Sequence, residues 1–199
     1  MSKKPASRNP NADKLPVVVK AAGTGITPTA TLRANARKNI DRGAITESYS
    51  ADKGVVIKLL NDALATEYVC VLRYMRHYFM ASGMLADSVK AEFLEHAQQE
   101  QEHANKIAER IVQLGGEPDL NPDTLTRRSH AEYQEGKDLR DMVKEDLIAE
   151  RIAIDSYREM INYIGDRDTT TKRILESILA QEEEHADEFA DLLNGWIGK

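Results

Sequence analysis

Cysteine is almost missing from this chain: Cys70 is the only one in 199 residues, so no disulfide can close within the chain and no four-cysteine zinc or rubredoxin-type iron site can form. Any metal must be held by His and carboxylate donors. Long apolar runs are missing as well. No segment approaches the roughly 20 apolar residues that span a bilayer, and the N-terminus lacks the continuous apolar stretch of a secretory signal. The expectation is a cytoplasmic protein with no membrane partner. What is present, 41% hydrophobic and 30% charged residues, suits one globular core with additional length beside it.

Charge is unevenly placed. Residues 1–50 carry nine Lys or Arg against Asp13, Asp41 and Glu47, a net of +6, which leaves −12 for the rest of a chain whose total is −6. A basic arm on an acidic body points to partners rather than to fold. The arm is rich in Lys, Pro, Asn, Thr and Ala without sustained period to about Thr31 and reads as flexible; residues 32–50 have room for a short helix. The expected division is therefore a basic extension over 1–50 and a helical body over 51–199.

In the body the apolar spacing is helical, in four long segments. The first covers about 51–82, with Val56, Leu60, Ala63, Cys70 and Tyr74 on one stripe and Gly83 as its stop. The second begins near Asp87, turns Phe93, Ala97, Ala104, Ile107, Ile111 and Leu114 inward, and stops at Gly115 and Gly116. The third covers about 137–164, with Val143, Leu147, Ile154, Tyr157 and Ile161 inward. The fourth follows Asp168, buries Leu175, Ile178, Phe189 and Leu192, and is expected to end near Gly195. Short links make each consecutive pair an antiparallel hairpin. Between the hairpins lie residues 115–136, which when extended reach about 70 Å. A helix of about 27 residues is only about 40 Å long, so this connection can cross the whole bundle and let the second and third helices run parallel. A long crossover, with space for a small helix of its own, separates this fold class from simple up-down bundles.

Carboxylates interrupt each stripe where packing would prefer Leu. Glu67 sits within the first and Glu150 within the third; Glu100 with His103, and Glu182 with His185, sit on the second and fourth. Residues three apart share a helix face, so each Glu-x-x-His pair can grip one ion. A unit of Glu, Tyr seven later, then Glu-x-x-His occurs twice, as Glu67, Tyr74, Glu100, His103 and as Glu150, Tyr157, Glu182, His185, with Glu-to-Glu separations of 33 and 32. Counted from the hairpin turns, all six groups lie at one depth. A single such pair in so acidic a chain reads most simply as a solvated face, and the duplication is what argues against that. Four buried carboxylates would each cost several kcal/mol without counter-charge; two divalent cations neutralise them, and oxygen-rich ligation with one imidazole per ion suits Fe or Mn better than structural zinc.

On these residues the sequence resembles the ferritin superfamily, and within it bacterioferritin and the bacterioferritin-like Dps proteins, over about 51–195. The resemblance implies a four-helix bundle in which Glu67 and Glu150 are terminal ligands, Glu100 and Glu182 bridge two iron ions, and His103 and His185 cap them, with Mn or Zn able to take their place. It also implies ferroxidase activity, with Fe(II) and O2 or H2O2 as substrates and a ferric mineral deposited in a homo-oligomeric cage. Tyr74 and Tyr157 match tyrosines that support the ligands. Where bacterioferritins place a haem-ligating Met after the first bridging Glu, this chain has Gln101, so no haem is expected. Only Trp196 to Lys199 follow Gly195, which leaves no fifth helix of the kind found at the four-fold axes of 24-subunit cages, so 12 subunits are expected, with 24 as the alternative.

Other functions compatible with these residues are peroxide removal at a manganese-catalase-like centre and non-specific DNA binding through the basic arm. Asp146, one turn before Glu150, is a candidate acceptor for the free ring N–H of a ligating His. Cys70 reads as core. His77, His96 and His130 lack a carboxylate at the right spacing and are left outside the site, and Glu183 and Glu184 are expected to face solvent or a cage interior.

Overall fold

The structure, a computed structural model, describes residues 25–84 and 86–197, with backbone only for Ile197. The expected flexibility of residues 1–24 lies outside the described residues. The chain divides into two units between Lys38 and Asn39. In the first, helix α1 (Thr29–Asn35) is a single short stretch with no buried residue. In the second, a 3-10 turn at Ile40–Arg42 precedes the body, and Ile45 and Tyr49 pack against its core.

All regular elements of the described residues are helical. The body consists of α2 (Lys53–Met80), α3 (Ala86–Gln113), the short α4 (Leu125–Arg128), α5 (Leu139–Ile164) and α6 (Thr169–Ile197). Three of the four long helices, α2, α5 and α6, start on a local acceptor for an otherwise orphaned N–H. Asp52 caps α2 through Val55 N–H at 3.1 Å, Asp138 caps α5 through Asp141 N–H at 2.9 Å, and Asp168 receives Thr171 N–H at 3.0 Å at the head of α6. The helix over 137–164 thus begins two residues later than its spacing predicts, because Asp138 is its cap. The last helix runs through Gly195 to Ile197 instead of ending there; a lone glycine weakens a helix by about 1 kcal/mol without stopping it. Gly136, at φ +66°, does require glycine: a Cβ there would lie 2.6 Å from Met142 Cγ and 2.9 Å from its backbone.

The 115–136 connection lies along α2. Asn61 holds Glu117 O and Asp119 N–H, Thr66 accepts from His130 N–H, Arg73 donates to Glu132 O, and Arg76 donates to Glu135 O. Contacts that climb from Asn61 to Arg76 cover about 22 Å of helix at 1.5 Å per residue. The connection therefore returns the chain to the end at which α2 finishes, so α5 runs antiparallel to α2 and parallel to α3. Between the helices lies one apolar cluster around Leu60, Ile107, Ile111, Ile164, Leu175 and Ile178 and another around Tyr74, Phe93, Val143 and Phe189. The stripe residues Leu147, Ile161 and Leu192 are only half-buried.

Candidate metal centre

Between the two apolar clusters the six predicted side chains converge. Glu67, Glu100, His103, Glu150, Glu182 and His185 are each at most 1% exposed. They divide into two sets that share two carboxylates. Glu67, Glu100, Glu182 and His103 place one donor atom each within 4.8 Å of one another, and so do Glu100, Glu150, Glu182 and His185. His103 Nδ1 lies 3.3 Å from Glu67, 3.5 Å from Glu100 and 3.2 Å from Glu182. His185 Nδ1 lies 3.6 Å from Glu100, 3.8 Å from Glu150 and 3.5 Å from Glu182.

The supporting bonds cross between hairpins. Tyr74 on α2 donates to Glu150 on α5, and Tyr157 on α5 donates to Glu67 on α2, so each repeat of the Glu and Tyr unit steadies the carboxylate of the other. The imidazoles are treated alike: His103 Nε2–H donates to Gln181 Oε1 at 2.8 Å, and His185 Nε2–H to Gln99 Oε1 at 2.5 Å. An amide oxygen only accepts, so both rings keep Nε2–H outward and turn Nδ1 to the carboxylates. These two glutamines were not singled out in the sequence, although the signal exists, since a Gln precedes the Glu in both Glu-x-x-His motifs.

Several polar atoms of this centre have no hydrogen-bond partner although fully buried: Glu67 Oε2, Glu100 Oε1, both Glu182 oxygens, and Nδ1 of His103 and of His185. Buried polar groups normally find partners. Here the exceptions coincide with the atoms that would face a cation, a donor set of carboxylate oxygens and neutral imidazole that fits a divalent first-row metal. The metal-free charges are correspondingly strained. Burial, reinforced by Glu100, pushes the Glu67 carboxyl well above the usual range. Burial, with Glu150 and Glu67 beside it, pushes Glu182 up to about 8. Burial alone would lower the His185 imidazole, but the nearby carboxylates of Glu100, Glu150 and Glu182 outweigh it and push it up to about 12, and His103 is raised for the same reason by Glu100, Glu182 and Glu67. The metal-free centre thus holds protons where cations would sit.

One expectation needs correction, and two histidines left outside the site find their places. Asp146 does not serve a histidine of the centre: it accepts from Arg73 Nε at 2.7 Å and pairs with His77 Nδ1 at 2.8 Å, in a buried triad. His77, left aside in the sequence, is therefore a fixed part of the packing that also reaches Gln134 O at 3.1 Å. His96 is buried, stacks on His185 with ring centroids 4.0 Å apart, and bonds Glu188 through Nε2 at 2.8 Å. Its partner lies on another helix, so no spacing within α3 announces it. Cys70 is buried, and Glu183 and Glu184 are exposed.

Two antiparallel hairpins joined by a long crossover, with one Glu from each of two helices and Glu-x-x-His from the other two, define the ferritin-like class of carboxylate-bridged bundle. The chain belongs to the ferritin-like family, whose ferritin-like domain matches residues 57–196. It is 31% identical over 133 residues to the bacterioferritin of Rhodobacter capsulatus, covering 66% of this chain and 78% of that protein. It is 31% identical over 139 residues to the nutrient stress-induced DNA-binding protein of a Synechococcus strain, covering 67% and 78%. Among solved structures it is similar to the dodecameric thioferritin, a bacterioferritin-related protein, of Bacteroides fragilis, with TM-score 0.71 and 33% identity over 73% of this chain and 88% of that one. No helix among the described residues is long and apolar enough to cross a membrane.

Proposed function

We propose that this protein is a ferroxidase that oxidises Fe(II) at the six-residue centre and stores the ferric product in a homo-oligomeric cage. The observation that carries the proposal is the set of orphaned, buried donor atoms on Glu67, Glu100, Glu182, His103 and His185. Iron enters here as substrate. Glu67 with His103 holds one ion, Glu150 with His185 the other, and Glu100 and Glu182 lie between them as bridges. Mn or Zn would find the same donors. Two Fe(II) give up one electron each: O2 with two protons becomes H2O2, or H2O2 with two protons becomes two waters. The protein sets the distance between the ions, keeps both rings in one tautomer through Gln99 and Gln181, and anchors the terminal carboxylates through Tyr74 and Tyr157. The acidic surroundings favour cation entry.

The cage reading is supported by the likeness to a dodecameric protein and by large apolar side chains left exposed along one end of α2 and after it, Leu72, Phe79, Met80 and Met84. Twelve copies are proposed, with 24 as the alternative. Aerobic addition of Fe(II), followed by near-ultraviolet absorbance and native mass, tests both. Fast oxidation with many irons retained per chain is expected, whereas oxygen evolution from peroxide with manganese bound would replace storage by peroxide removal.

A second reading concerns the extension. Arg33, Arg37, Lys38 and Arg42 are exposed, and a relative is a DNA-binding protein. Many copies of a basic arm would bind DNA through phosphates without base preference and with affinity falling steeply as salt rises. Equal gel shifts for the full chain and for a variant starting at Gly43, or none at low salt, would leave the arm as an assembly element.

A further inference from the structure

His96 is in a position that the two-ion centre does not explain. It lies one turn before Glu100 on α3, at most 1% exposed, with one ring nitrogen on Glu188 and the other, Nδ1, without any partner. Glu92 precedes it by another turn on the same face of α3. Glu188 lies on α6, one turn beyond His185. Glu92, His96 and Glu188 offer one donor atom each, all within 4.8 Å of one another. Outward from them opens a cleft of about 470 Å³ between α3 and α6, whose wall includes Glu92, Glu188 and Asp191. Inward, His96 stacks on His185, and one donor atom each of His96, Glu150 and His185 lie within 4.8 Å of one another.

We propose that Glu92, His96 and Glu188 form a third, outer cation site, which takes a divalent first-row metal ion from the α3–α6 cleft and holds it one imidazole away from the His185 half of the centre. Two carboxylates neutralise one divalent ion, and the single imidazole gives the site the same mixed oxygen and nitrogen character as each half of the centre. The two sites differ in access. All ligands of the centre are buried, whereas Glu92 is half-buried and Glu188 exposed, so an ion here keeps water in its coordination shell and exchanges faster. Asp191 in the cleft wall adds a further negative charge on the approach. An ion released inward from His96 meets Glu150 and His185 first. The outer site itself stands on its own three donors; its role as supplier rests on the ferroxidase reading above.

The test is a calorimetric titration of the full-length protein with Co2+ alone, in three versions: wild type, Glu92→Gln with Glu188→Gln, and Glu100→Ala with Glu182→Ala. Neither Glu92 nor Glu188 is among the buried residues, and glutamine keeps their size, so the fold should remain intact, which circular dichroism verifies. The expected stoichiometries are about three ions per chain for wild type, about two for the outer-site variant and about one for the centre variant, since each variant removes its own ligands only. Equal binding by wild type and the outer-site variant would overturn the third site. Equal binding by wild type and the centre variant would instead overturn the two-ion centre and leave the third site standing. The supplying role is read from initial Fe(II) oxidation at limiting iron: it should slow at least several-fold in the outer-site variant while the final extent is unchanged, and unchanged initial rates would refute it.

Discussion

Loading the centre with metal should release protons, and the structure sets how many. In the metal-free state the imidazoles of His103 and His185 are raised and hence protonated at neutral pH, and burial with Glu150 and Glu67 close by pushes Glu182 up to about 8. Protons then stand where two divalent ions must bring their positive charges. A site that binds metal through neutral imidazole and ionised carboxylate must lose them, so at least about three protons per chain should leave on saturation near pH 6.5. The count should fall by about one as pH passes 8, where Glu182 ionises without help. Because each released proton adds one power of ten to apparent affinity per pH unit, binding of the pair should strengthen very steeply between pH 6 and 7. Zn2+ is a suitable probe, being redox-inert. Titration calorimetry in buffers of different ionisation enthalpy reads the number directly as a slope. A slope near zero, or one independent of pH between 6 and 9, would refute the reasoning, because it would mean that the ion binds at carboxylates already ionised, on the surface.

Three further outcomes follow from the same groups. Folded-state pKa values raised for Glu182 (to about 8) and His185 (to about 12) contribute stability that is complete below the unfolded values and lost as pH rises through the folded ones; the chelated protein should therefore melt lower at pH 8 than at pH 5, by roughly 4–8 °C for each 2 kcal/mol lost, and added Zn2+ should abolish that fall in differential scanning calorimetry. Glu100→Ala or Glu182→Ala should eliminate fast Fe(II) oxidation in stopped-flow absorbance while circular dichroism still reads a folded helical bundle, since each removes a carboxylate placed between the two ions; wild-type rates in either variant would count against the assignment. Asp146→Ala should cost about 3–5 kcal/mol in urea unfolding, because it strands Arg73, which is 1% exposed, beside His77 without a counter-charge, and a loss under 1 kcal/mol would show that the triad is not what holds this part of the bundle.

Local chemistry was enough to fix much of this protein from its sequence. Helical periodicity placed Val56, Leu60, Phe93, Ile107, Leu175 and Phe189 inward, capping residues such as Asp168 and glycines such as Gly115 marked where helices start and stop, and the length of residues 115–136 left room for a crossover that spans the bundle. The duplicated Glu, Tyr and Glu-x-x-His unit brought six side chains to one level, because along a helix both face and height are set by residue number alone. Partnership between helices is set by rotation and crossing, which no spacing within one helix encodes. That is why the structure alone paired Tyr74 with Glu150 and Tyr157 with Glu67, gave His103 to Gln181 and His185 to Gln99, assigned Asp146 to Arg73 and His77, and drew His96 from the unremarkable part of α3 to a carboxylate on α6.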